Sequence, residues 1–263
     1  MTRQLDFERP DFERRFNGVK RLYGDTGLTK LQAAHIVVVG IGGVGSWAAE
    51  ALARNAVGII TLVDLDNIAE SNVNRQIHAF DGNFGKAKIT AMRERIFSIN
   101  PVCVVHEIED LVTVENARKI LDFHFDCLVD CIDDASAKAV LAVLCKAMNS
   151  PIVMSGSAGG RLNPMRIQVT DLSSVTNDKL LAKVRNLLRR DYQFPKASNT
   201  KKSAKFGVSC VYSDELVVKP DMVCEADSSS ITGLNCAGYG SSVCVTAPMG
   251  FVAAQLAINL MIA

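Results

Sequence analysis

The stretch HIVVVGIGGVGSWAAEALARNAVGIITLVDLD, from His35 to Asp66, decides how this chain folds. A run of β-branched residues leads through Gly40, Gly42 and Gly45 into a helical pattern, and a second apolar run ends at Asp64. In such a G-x-G-x-x-G turn the first glycine permits a tight turn, the second lets the backbone approach a phosphate, and the third lets helix and strand pack. The phosphate meets the positive end of the helix, and a carboxylate after the next strand can bind a ribose. The stretch therefore predicts a nucleotide-binding unit without saying which nucleotide it holds.

The chain beyond this unit alternates strand patterns with helical patterns. Strands are predicted at residues 35–40, 58–64, 102–108, 125–131 and 151–156, with helices at residues 44–55, 85–100, 113–123 and 135–149. Right-handed crossovers between these strands give a Rossmann-like, doubly wound, mostly parallel α/β sheet. After Ser155, turn-forming residues precede an amphipathic pattern, which predicts that antiparallel strands extend the sheet.

The expected organisation is an N-terminal helical segment, residues 1–33, followed by one domain, residues 34–263, because no long linker interrupts the pattern. Residues 177–207 are predicted to form a basic helix and loop, with nine Lys or Arg against two Asp. The formal net charge is only +1, which excludes a uniformly polycationic nucleic-acid coat. Any contact with nucleic acid therefore depends on this local patch.

Eight cysteines stand at positions 103, 127, 131, 145, 210, 224, 236 and 244, and no two of them form a C-x-x-C pair. The N-terminus is rich in charges of both signs and lacks the apolar core of a secretory signal. This pattern predicts reduced thiols in a cytoplasmic protein, without a disulfide framework or a zinc site.

The C-terminal region has no charged residue after Asp227. Its apolar run contains Pro248, Gly250 and polar side chains, and no Lys or Arg flanks it. These features favour a buried helix over residues 247–262 rather than stable membrane insertion. A membrane-anchored scaffold is the alternative that this segment leaves open.

Polar residues follow the second predicted strand and favour ATP over a nicotinamide cofactor. Residues 64–76, DLDNIAESNVNRQ, contribute carboxylates, amides and Arg75, and GNFGKAK then adds Lys86 and Lys88 at a helix start. Cations at the mouth of a phosphate site suit a triphosphate and its leaving pyrophosphate, whereas hydride transfer needs an uncharged pocket for the nicotinamide. A nicotinamide-dependent oxidoreductase is the alternative.

A second group of carboxylates follows the strand at residues 125–131, in LVDCIDDASAK. Asp133 and Asp134 should face the same crevice, because the carboxyl ends of parallel strands meet at one edge of the sheet. A carboxylate there can hold Mg²⁺ between phosphates. For Asp134, capping of the next helix is an equally good interpretation.

Taken together, GIGGVGSWAAEALARNAVGIITLVDLD, SNVNRQ, GKAK and CIDDA resemble the adenylating domain of the ubiquitin-activating-enzyme-like superfamily, which includes the ThiF, MoeB and HesA proteins. A narrower resemblance is to the tRNA threonylcarbamoyladenosine dehydratases of the TcdA or CsdL type. It is carried by RRFNGVKRLYG, NRQIHA, SAGGRLNPMRIQVTDL, FGVSCVYSDE and NCAGYGS.

This resemblance implies an enzyme that uses ATP to activate the threonyl carboxylate of threonylcarbamoyladenosine, beside the anticodon of tRNA. Ring closure with the carbamoyl group then removes water. The alternative within the superfamily is adenylation of a ubiquitin-like sulfur-carrier protein. Many such relatives hold zinc in two C-x-x-C pairs, which this chain lacks.

The resemblance also implies roles for individual residues. The ATP site would comprise Gly40, Gly42, Gly43, Gly45, Asp64, Asp66, Asn72, Arg75, Gln76, Lys88 and Asp133. Arg75 and Lys88 would stabilise the charge that develops on the triphosphate, and Asp133 would position Mg²⁺. In relatives a partner subunit's arginine completes the site of a homodimer. Gly18 stands at the aligned position here, so that Arg15 or Arg21 would have to substitute.

Two further expectations concern sulfur and RNA. Cys236 is the best candidate for a reactive thiol, catalytic or accepting sulfur from a cysteine desulfurase partner, although ring closure needs no enzyme nucleophile; His78 is interpreted as structural. Cations of the basic segment are predicted to neutralise tRNA phosphates, unless the segment is merely a solvated helix and loop. They are Lys183, Arg185, Arg189, Arg190, Lys201, Lys202 and Lys205.

Overall fold

The computed structural model describes residues 11–196, 204–218 and 239–263. The strands are β1 (His35–Val39), β2 (Ile59–Val63), β3 (Val104–Ile108), β4 (Cys127–Asp130), β5 (Ile152–Ser155), β6 (Ile167–Asp171) and β7 (Ser209–Ser213). The α-helices are α1 (Phe12–Ala33), α2 (Gly45–Arg54), α3 (Lys88–Ile99), α4 (Ala117–Ile120), α5 (Ala135–Ala147), α6 (Lys179–Asp191) and α7 (Val243–Ile262).

The seven strands form one sheet in the order β3-β2-β1-β4-β5-β7-β6. Every neighbouring pair is parallel except β6 with β7. Apolar side chains from both faces of the strands pack under helices, with α2, α3 and α7 over one face and α5 and α6 over the other. The predicted doubly wound, mostly parallel sheet with an antiparallel extension is confirmed.

The end of the sheet differs from the prediction in detail. Only β6 is antiparallel, whereas β7 pairs with β5 in parallel and continues the winding. The chain turns back through residues 156–166 without a long helix and forms β6 at the edge. Helix α6 then follows β6 and precedes β7, so that β7 enters the sheet with the common direction.

The crossover from β3 to β4 contains only one helical turn, so the helix predicted at residues 113–123 is wrong in length. The Asn116 side chain accepts a hydrogen bond from Thr113 N at 2.7 Å and donates to Leu111 O at 2.8 Å. These bonds fix a turn before Ala117, because an Asn side chain competes with the helical backbone for its partners. Leu121 is buried directly after the helix, where the chain turns towards β4.

Helix α7 begins earlier than the prediction of residues 247–262, because Ser242 caps it by accepting a hydrogen bond from Cys244 N. Pro248 therefore lies inside the helix, where it removes one backbone hydrogen bond. The helix is long and apolar enough to cross a membrane, with a mean hydropathy of 1.6, yet half of its apolar stretch is buried inside the protein. It packs against α2, so that Gly250 contacts the backbone of Val44.

Helix α1 lies against α7 and closes the same side of the sheet. A kink at Gly24, where φ is +75°, divides it. Tyr23 and Gln255 are hydrogen-bonded through their side chains at 3.2 Å, and Lys30 Nζ donates to the carbonyl of Ala263 at 2.6 Å. The described part of the N-terminal segment thus packs on the domain that follows it.

Candidate active site

A cleft opens at the carboxyl ends of the parallel strands, beside the glycine loop. Its lining includes all but one of the predicted nucleotide-binding residues, namely Gly40, Gly42, Gly43, Asp64, Asp66, Asn72, Arg75, Gln76, Lys88 and Asp133. The topology explains this convergence, because β1, β2 and β4 are neighbours and all end at this edge.

The three spaced glycines play different structural parts. Gly40 has φ +84°, and a Cβ there would lie 3.0 Å from the backbone of Cys131. A Cβ at Gly45 would overlap Gly40 O, which explains why Gly45 supports the loop without lining the cleft. The Cβ position of Gly42 faces open space, so the backbone at this point is accessible to a ligand at the start of α2. Together they form a cradle that suits phosphate.

Asp64, directly after β2, ties the glycine loop to its neighbours. Its Oδ2 accepts a hydrogen bond from Ile41 N at 2.6 Å, and its Oδ1 accepts one from Asp66 N at 2.9 Å. Burial raises the pKa of Asp64, while the Lys88 charge and the backbone hydrogen bonds oppose that rise. Each carboxylate oxygen keeps a second lone pair, which leaves the side chain able to accept from a ribose hydroxyl.

Lys88 is a buried cation at the first turn of α3. Its Nζ lies 2.6 Å from Asp66 Oδ2 and 3.9 Å from Asp64 Oδ1. The Lys88 side chain is 7% exposed, whereas that of Asp66 is 72% exposed. Asp66 can therefore swing into solvent when an anion takes its place, and Lys88 can exchange a carboxylate for a phosphate oxygen without leaving its position.

Arg75 is held beside the glycine loop by several contacts. Its guanidinium donates to Ser71 O at 2.7 Å and to Asn74 Oδ1 at 2.9 Å, and its backbone carbonyl accepts from the Trp47 indole at 2.9 Å. Partial burial lowers the pKa of Arg75, but from so high a starting value that the group stays charged. The Arg75 side chain packs against Gly43, so that a Cβ on this glycine would lie 3.3 Å from Arg75 Cγ. The sequence thus brings a fixed positive charge to the phosphate cradle.

Two amide side chains line the cleft beneath Arg75. Asn72 Oδ1 accepts from Ala69 N at 3.0 Å, which fixes the short turn that carries it. Gln76 is 6% exposed, and its Oε1 has no hydrogen-bond partner among residues 11–196, 204–218 and 239–263. A buried carbonyl without a donor is costly, so this atom favours a polar ligand in the cleft.

The two carboxylates after β4 differ in their roles. Asp134 Oδ1 accepts from Ala137 N at 2.7 Å, so it caps α5, as one of the two interpretations expected. Asp133 is exposed in the cleft and makes no hydrogen bond or ion pair with the part of the chain that the structure describes. The chemistry of a carboxylate beside a phosphate cradle fits Mg²⁺. Its metal role remains a prediction.

Several cleft residues were not predicted from the sequence. They are Asp110, Leu111 and Val112 after β3, Ser155 to Gly159 after β5, and Ser241 and Thr246 at the start of α7. The rule that strand ends meet at one edge could have found the first two groups, because both follow predicted strands. Nothing local to the third group indicated that the start of α7 reaches Arg75.

The cysteines that the structure describes are all unpaired, and most are poor nucleophiles. Burial raises the pKa of Cys103, Cys131 and Cys145 to about 12, and it raises the pKa of Cys127 and Cys210 as well. A thiol must ionise to react, so these five are structural. Cys236 lies outside the described residues. In the parts that are described, no cluster of metal-ligating side chains is present.

His78 is unsuited to act as a base. It is 1% exposed, and neither ring nitrogen has a hydrogen-bond partner within the described ranges. Burial and then the charges of Lys88 and Arg95 lower the pKa of His78 to about 4. The ring is therefore neutral at physiological pH, which agrees with the structural role expected for it.

The basic cations of α6 fall into two sets. Arg185 donates to Val175 O at 2.6 Å, and Arg189 donates to Pro195 O at 3.1 Å and lies over the ring of Phe206. These two were predicted to contact tRNA, but their guanidinium groups are engaged in packing the domain. The exposed set is Lys183, Arg190, which pairs with Asp191, and Lys205, whereas Lys201 and Lys202 lie outside the described residues.

The arginines considered for a trans contribution differ in the same way. Arg15 donates to Ser98 O at 3.1 Å and to Ile99 O at 2.7 Å of its own chain. Arg21 is exposed on α1, one turn beyond Gly18. Within the described ranges, Arg15 is therefore the one of the two whose guanidinium is held by its own chain.

Comparison with known proteins gives one consistent result. A model of the ThiF family matches residues 13–262. The chain is 44% identical to the tRNA threonylcarbamoyladenosine dehydratase of Escherichia coli (strain K12) over 258 residues, 96% of this chain and 95% of that protein. It is 43% identical to the enzyme of that name from Haemophilus influenzae, over 95% of this chain and 94% of that one.

Solved structures agree with the sequence relatives. The crystal structure of the E. coli tRNA N6-threonylcarbamoyladenosine dehydratase TcdA in complex with ATP superposes with a TM-score of 0.84, at 43% identity, and covers 95% of this chain and 94% of that chain. Both the sequence and the fold are therefore shared over nearly the full length, and the chain belongs to the ThiF family.

Proposed function

We propose that this chain is an ATP-dependent tRNA threonylcarbamoyladenosine dehydratase, which adenylates the threonyl carboxylate of the modified nucleoside and thereby drives its cyclisation. The observation that carries the proposal is the cleft itself, where a phosphate cradle, Arg75, Lys88 and the exposed Asp133 lie together. Relatives of this name match the chain over nearly its full length.

In this proposal the cleft binds ATP through the elements already described. Backbone N–H groups of the glycine loop and the start of α2 face the phosphates, where the helix dipole favours negative charge. Asp64 accepts from the ribose, and Gln76 Oε1, which has no partner within the described ranges, accepts from a donor of the ligand. Lys88 leaves Asp66 and binds a phosphate oxygen, because the charge of the triphosphate exceeds that of one exposed carboxylate.

The chemical step is attack of a threonyl carboxylate oxygen on the α-phosphorus of ATP, with release of pyrophosphate. Arg75 and Lys88 stabilise the negative charge that develops on the phosphoryl oxygens. The carbamoyl group then attacks the acyl carbon, and AMP leaves with the former carboxylate oxygen. The sum of the two steps is loss of one water from the nucleoside and conversion of ATP into AMP and pyrophosphate.

Mg²⁺, when bound, would neutralise phosphate charge and orient the leaving pyrophosphate. Asp133 is the residue that would hold it, because it is exposed in the cleft and unpaired within the described ranges. The first step needs no enzyme nucleophile, so a thiol at Cys236 is not required for it.

The tRNA substrate is proposed to contact the outer face of α6. Lys183 and Arg190 are exposed there, and Lys205 is exposed next to Phe206, whose ring lies under Arg189 in the last turn of α6. Lys201 and Lys202 belong to the same basic segment of the sequence. Such contacts to phosphates position the RNA and make its affinity strongly salt-dependent.

The assembly follows the same reasoning. A homodimer in the cytoplasm is proposed, in which Arg21 is the better placed of the two candidate trans arginines. A cysteine desulfurase that delivers sulfur to Cys236 remains a proposal for a partner. Adenylation of a sulfur-carrier protein is the competing function, and it lacks support from paired C-x-x-C motifs in this sequence.

The test measures pyrophosphate release by the purified protein with ATP and one of three acceptors. These are tRNA that carries threonylcarbamoyladenosine, the same tRNA without the modification, and a small ubiquitin-like carrier protein. Release only with the modified tRNA, and loss of one water from the nucleoside in mass spectrometry, is the expected result. Release with the carrier and none with the modified tRNA would overturn the proposal.

A further inference from the structure

One wall of the cleft contains none of the predicted nucleotide-binding residues. The sheet order β3-β2-β1-β4-β5 places Asp64 and the residues after β3 on one side of the glycine loop, and Asp133 after β4 on the other. Beyond Asp133, residues 155–159, at the end of β5 and directly after it, form a wall of the cleft, and Leu180 of α6 adjoins it. With the ribose at Asp64, this wall is the one on the opposite side of the glycine loop, where a second substrate can approach the α-phosphate.

Asp178 joins this wall to the basic helix. It is 3% exposed, and its Oδ1 accepts from Leu181 N at 2.8 Å, which caps α6. Its Oδ2 accepts from Ser157 N at 2.9 Å, in the middle of the wall. One carboxylate thus fixes the start of α6 and the backbone of the cleft with separate oxygens. Leu181 is three residues from Asp178, as in an ordinary helix cap, whereas Ser157 is 21 residues away, so the Ser157 bond joins two separate parts of the chain.

The wall is fitted closely around this carboxylate. A Cβ on Gly156 would overlap Asp178 Oδ2 and would lie 2.9 Å from Tyr212 Cβ, so only glycine leaves room for the contact. Arg161 is 1% exposed and donates to Asn177 O at 2.8 Å, which holds the residue before Asp178. The junction between the wall and α6 is therefore buried, polar and too closely packed for a side chain at Gly156.

We infer that Asp178 is a positioning residue that sets the Ser155–Gly159 wall for the RNA nucleotide to be adenylated. The inference rests on the proposed function, because it assigns the wall to the second substrate of that reaction. Lys183 lies just over one helical turn beyond Asp178 and is exposed. The same helix would therefore bind the RNA backbone on its outer face and orient the acceptor wall through its N-terminal residue.

The experiment compares Asp178→Asn with Asp171→Asn in the full chain. The two backbone donors, Leu181 N and Ser157 N, bond to different carboxylate oxygens. In Asp178→Asn one of these oxygens becomes an NH₂ group, which donates and cannot accept, so one of the two bonds is lost. Asp171 is a matched control, because it too caps a helix, the short 3₁₀ helix Leu172–Ser174, and accepts from the distant Phe206 N and Gly207 N, away from the cleft. ATP affinity is measured by calorimetry, thermal unfolding is recorded, and pyrophosphate release is measured with modified tRNA.

For Asp178→Asn we expect the turnover number for tRNA-dependent pyrophosphate release to fall about tenfold or more, because misplacement of a reactant by a fraction of an ångström slows attack. ATP affinity should stay within about twofold of wild type, since the nucleotide side is untouched. Asp178→Glu, which restores two acceptors and the charge, should recover part of the rate. Asp171→Asn should keep the wild-type rate, although its thermal stability should be comparable to that of Asp178→Asn.

Two results would overturn the inference. One is an equal fall in ATP affinity and in turnover for Asp178→Asn; the other is the same loss of turnover in Asp171→Asn. If Asp178→Asn fails to fold, Gly156→Ala disturbs the same contact from the other side and must show the same selective loss. Failure of the proposed function is visible separately, because the wild-type protein would then release no pyrophosphate with modified tRNA.

Discussion

Positive charge is used differently in the cleft and on α6. In the cleft, Lys88 is buried against Asp66, and Arg75 is tied to backbone and side-chain oxygens. On α6, Lys183 and Arg190 extend from an exposed helix face. A fixed cation can stabilise a developing charge at a defined point, whereas an exposed one supplies attraction without fixed geometry. Burial and pairing, rather than charge density, separate the catalytic candidates from the candidate RNA contacts.

Arg185 and Arg189 show how far charge density alone misleads. Both belong to the most basic stretch of the sequence, yet their guanidinium groups donate to carbonyls of the same domain. A guanidinium that satisfies backbone carbonyls is costly to withdraw for another partner. These two half-buried side chains therefore resemble the cations of the cleft, which are held by acceptors of their own chain, although their exposed neighbours on α6 do not.

The largest effect is expected from Lys88→Ala. Removal of the buried cation should lower tRNA-dependent pyrophosphate release about 100-fold or more, because a preorganised charge at the phosphates is lost. Lys86→Ala is the matched control, since Lys86 carries the same charge but pairs with Glu94 at 2.7 Å on the surface. Radiolabelled pyrophosphate release measures both. Similar losses in the two variants would remove the distinction between buried and exposed cations.

Asp133→Ala should follow closely and abolish most pyrophosphate release at physiological Mg²⁺, because the phosphates lose their cation-positioning carboxylate. Cys236→Ser, in contrast, should retain much of the rate. Release is measured over a titration of Mg²⁺, in which the Asp133 variant should need a higher concentration. Equal losses in both variants would contradict the ranking of a charge-based site over a thiol.

The buried ring of His78 makes the stability of the fold depend on pH. Its pKa is lowered to about 4 in the folded protein, so the unfolded chain binds this proton first as the pH falls. The stability contribution is therefore complete above the ordinary pKa of 6.5 and is lost between 6.5 and 4. Urea unfolding at pH 7 and pH 5 should show about 2 kcal/mol more acid destabilisation in wild type than in His78→Leu. The same acid destabilisation in both proteins would show that protonation of His78 does not cause it.

Arg185→Ala should lower the free energy of unfolding by about 1–2 kcal/mol, because the carbonyls of Leu172 and Val175 lose a charged donor. Affinity for tRNA should change little once the variant is folded. Chemical denaturation and filter binding measure the two effects. A large loss of RNA affinity with unchanged stability would place Arg185 among the exposed cations instead.

The smallest effect is expected from Lys183→Ala. It should leave the free energy of unfolding within about 0.5 kcal/mol of wild type, as for most surface substitutions. It should weaken tRNA binding uniformly and reduce the slope of log affinity against log salt by about 1. Binding is measured over a range of salt concentrations. An unchanged slope would assign this face of α6 to solvent.

The sequence could predict features that depend on local pattern and on the common edge of a parallel sheet. The glycine loop, Asp64, Lys88 and Asp133 follow predicted strands or begin predicted helices, and the strand ends bring them together. The direction of β7 could not be predicted in this way, because it depends on where α6 lies between two strands.

The remainder of the site depends on contacts between distant parts of the chain. Thr246 donates to the carbonyl of Arg75 across 171 residues, and Ser157 donates to Asp178 across 21. The carbonyls that engage Arg185 stand ten and thirteen residues before it, in the short 3₁₀ helix Leu172–Ser174 and directly after it. Periodicity contains no information about such pairs, since each requires the finished packing of two elements.

Gly250 connects the uncharged C-terminus to the ATP cleft. A Cβ there would lie 2.5 Å from Val44 O and 2.9 Å from Ala48 N, at the turn where α2 begins. A larger residue would push α7 away from α2, the helix whose first turn is proposed to bind the phosphates. In a genetic screen, substitutions in this hydrophobic C-terminal helix should therefore abolish enzyme activity. Their phenotype should match that of mutations in the glycine loop, some 200 positions earlier, and should not be a change in where the protein is located.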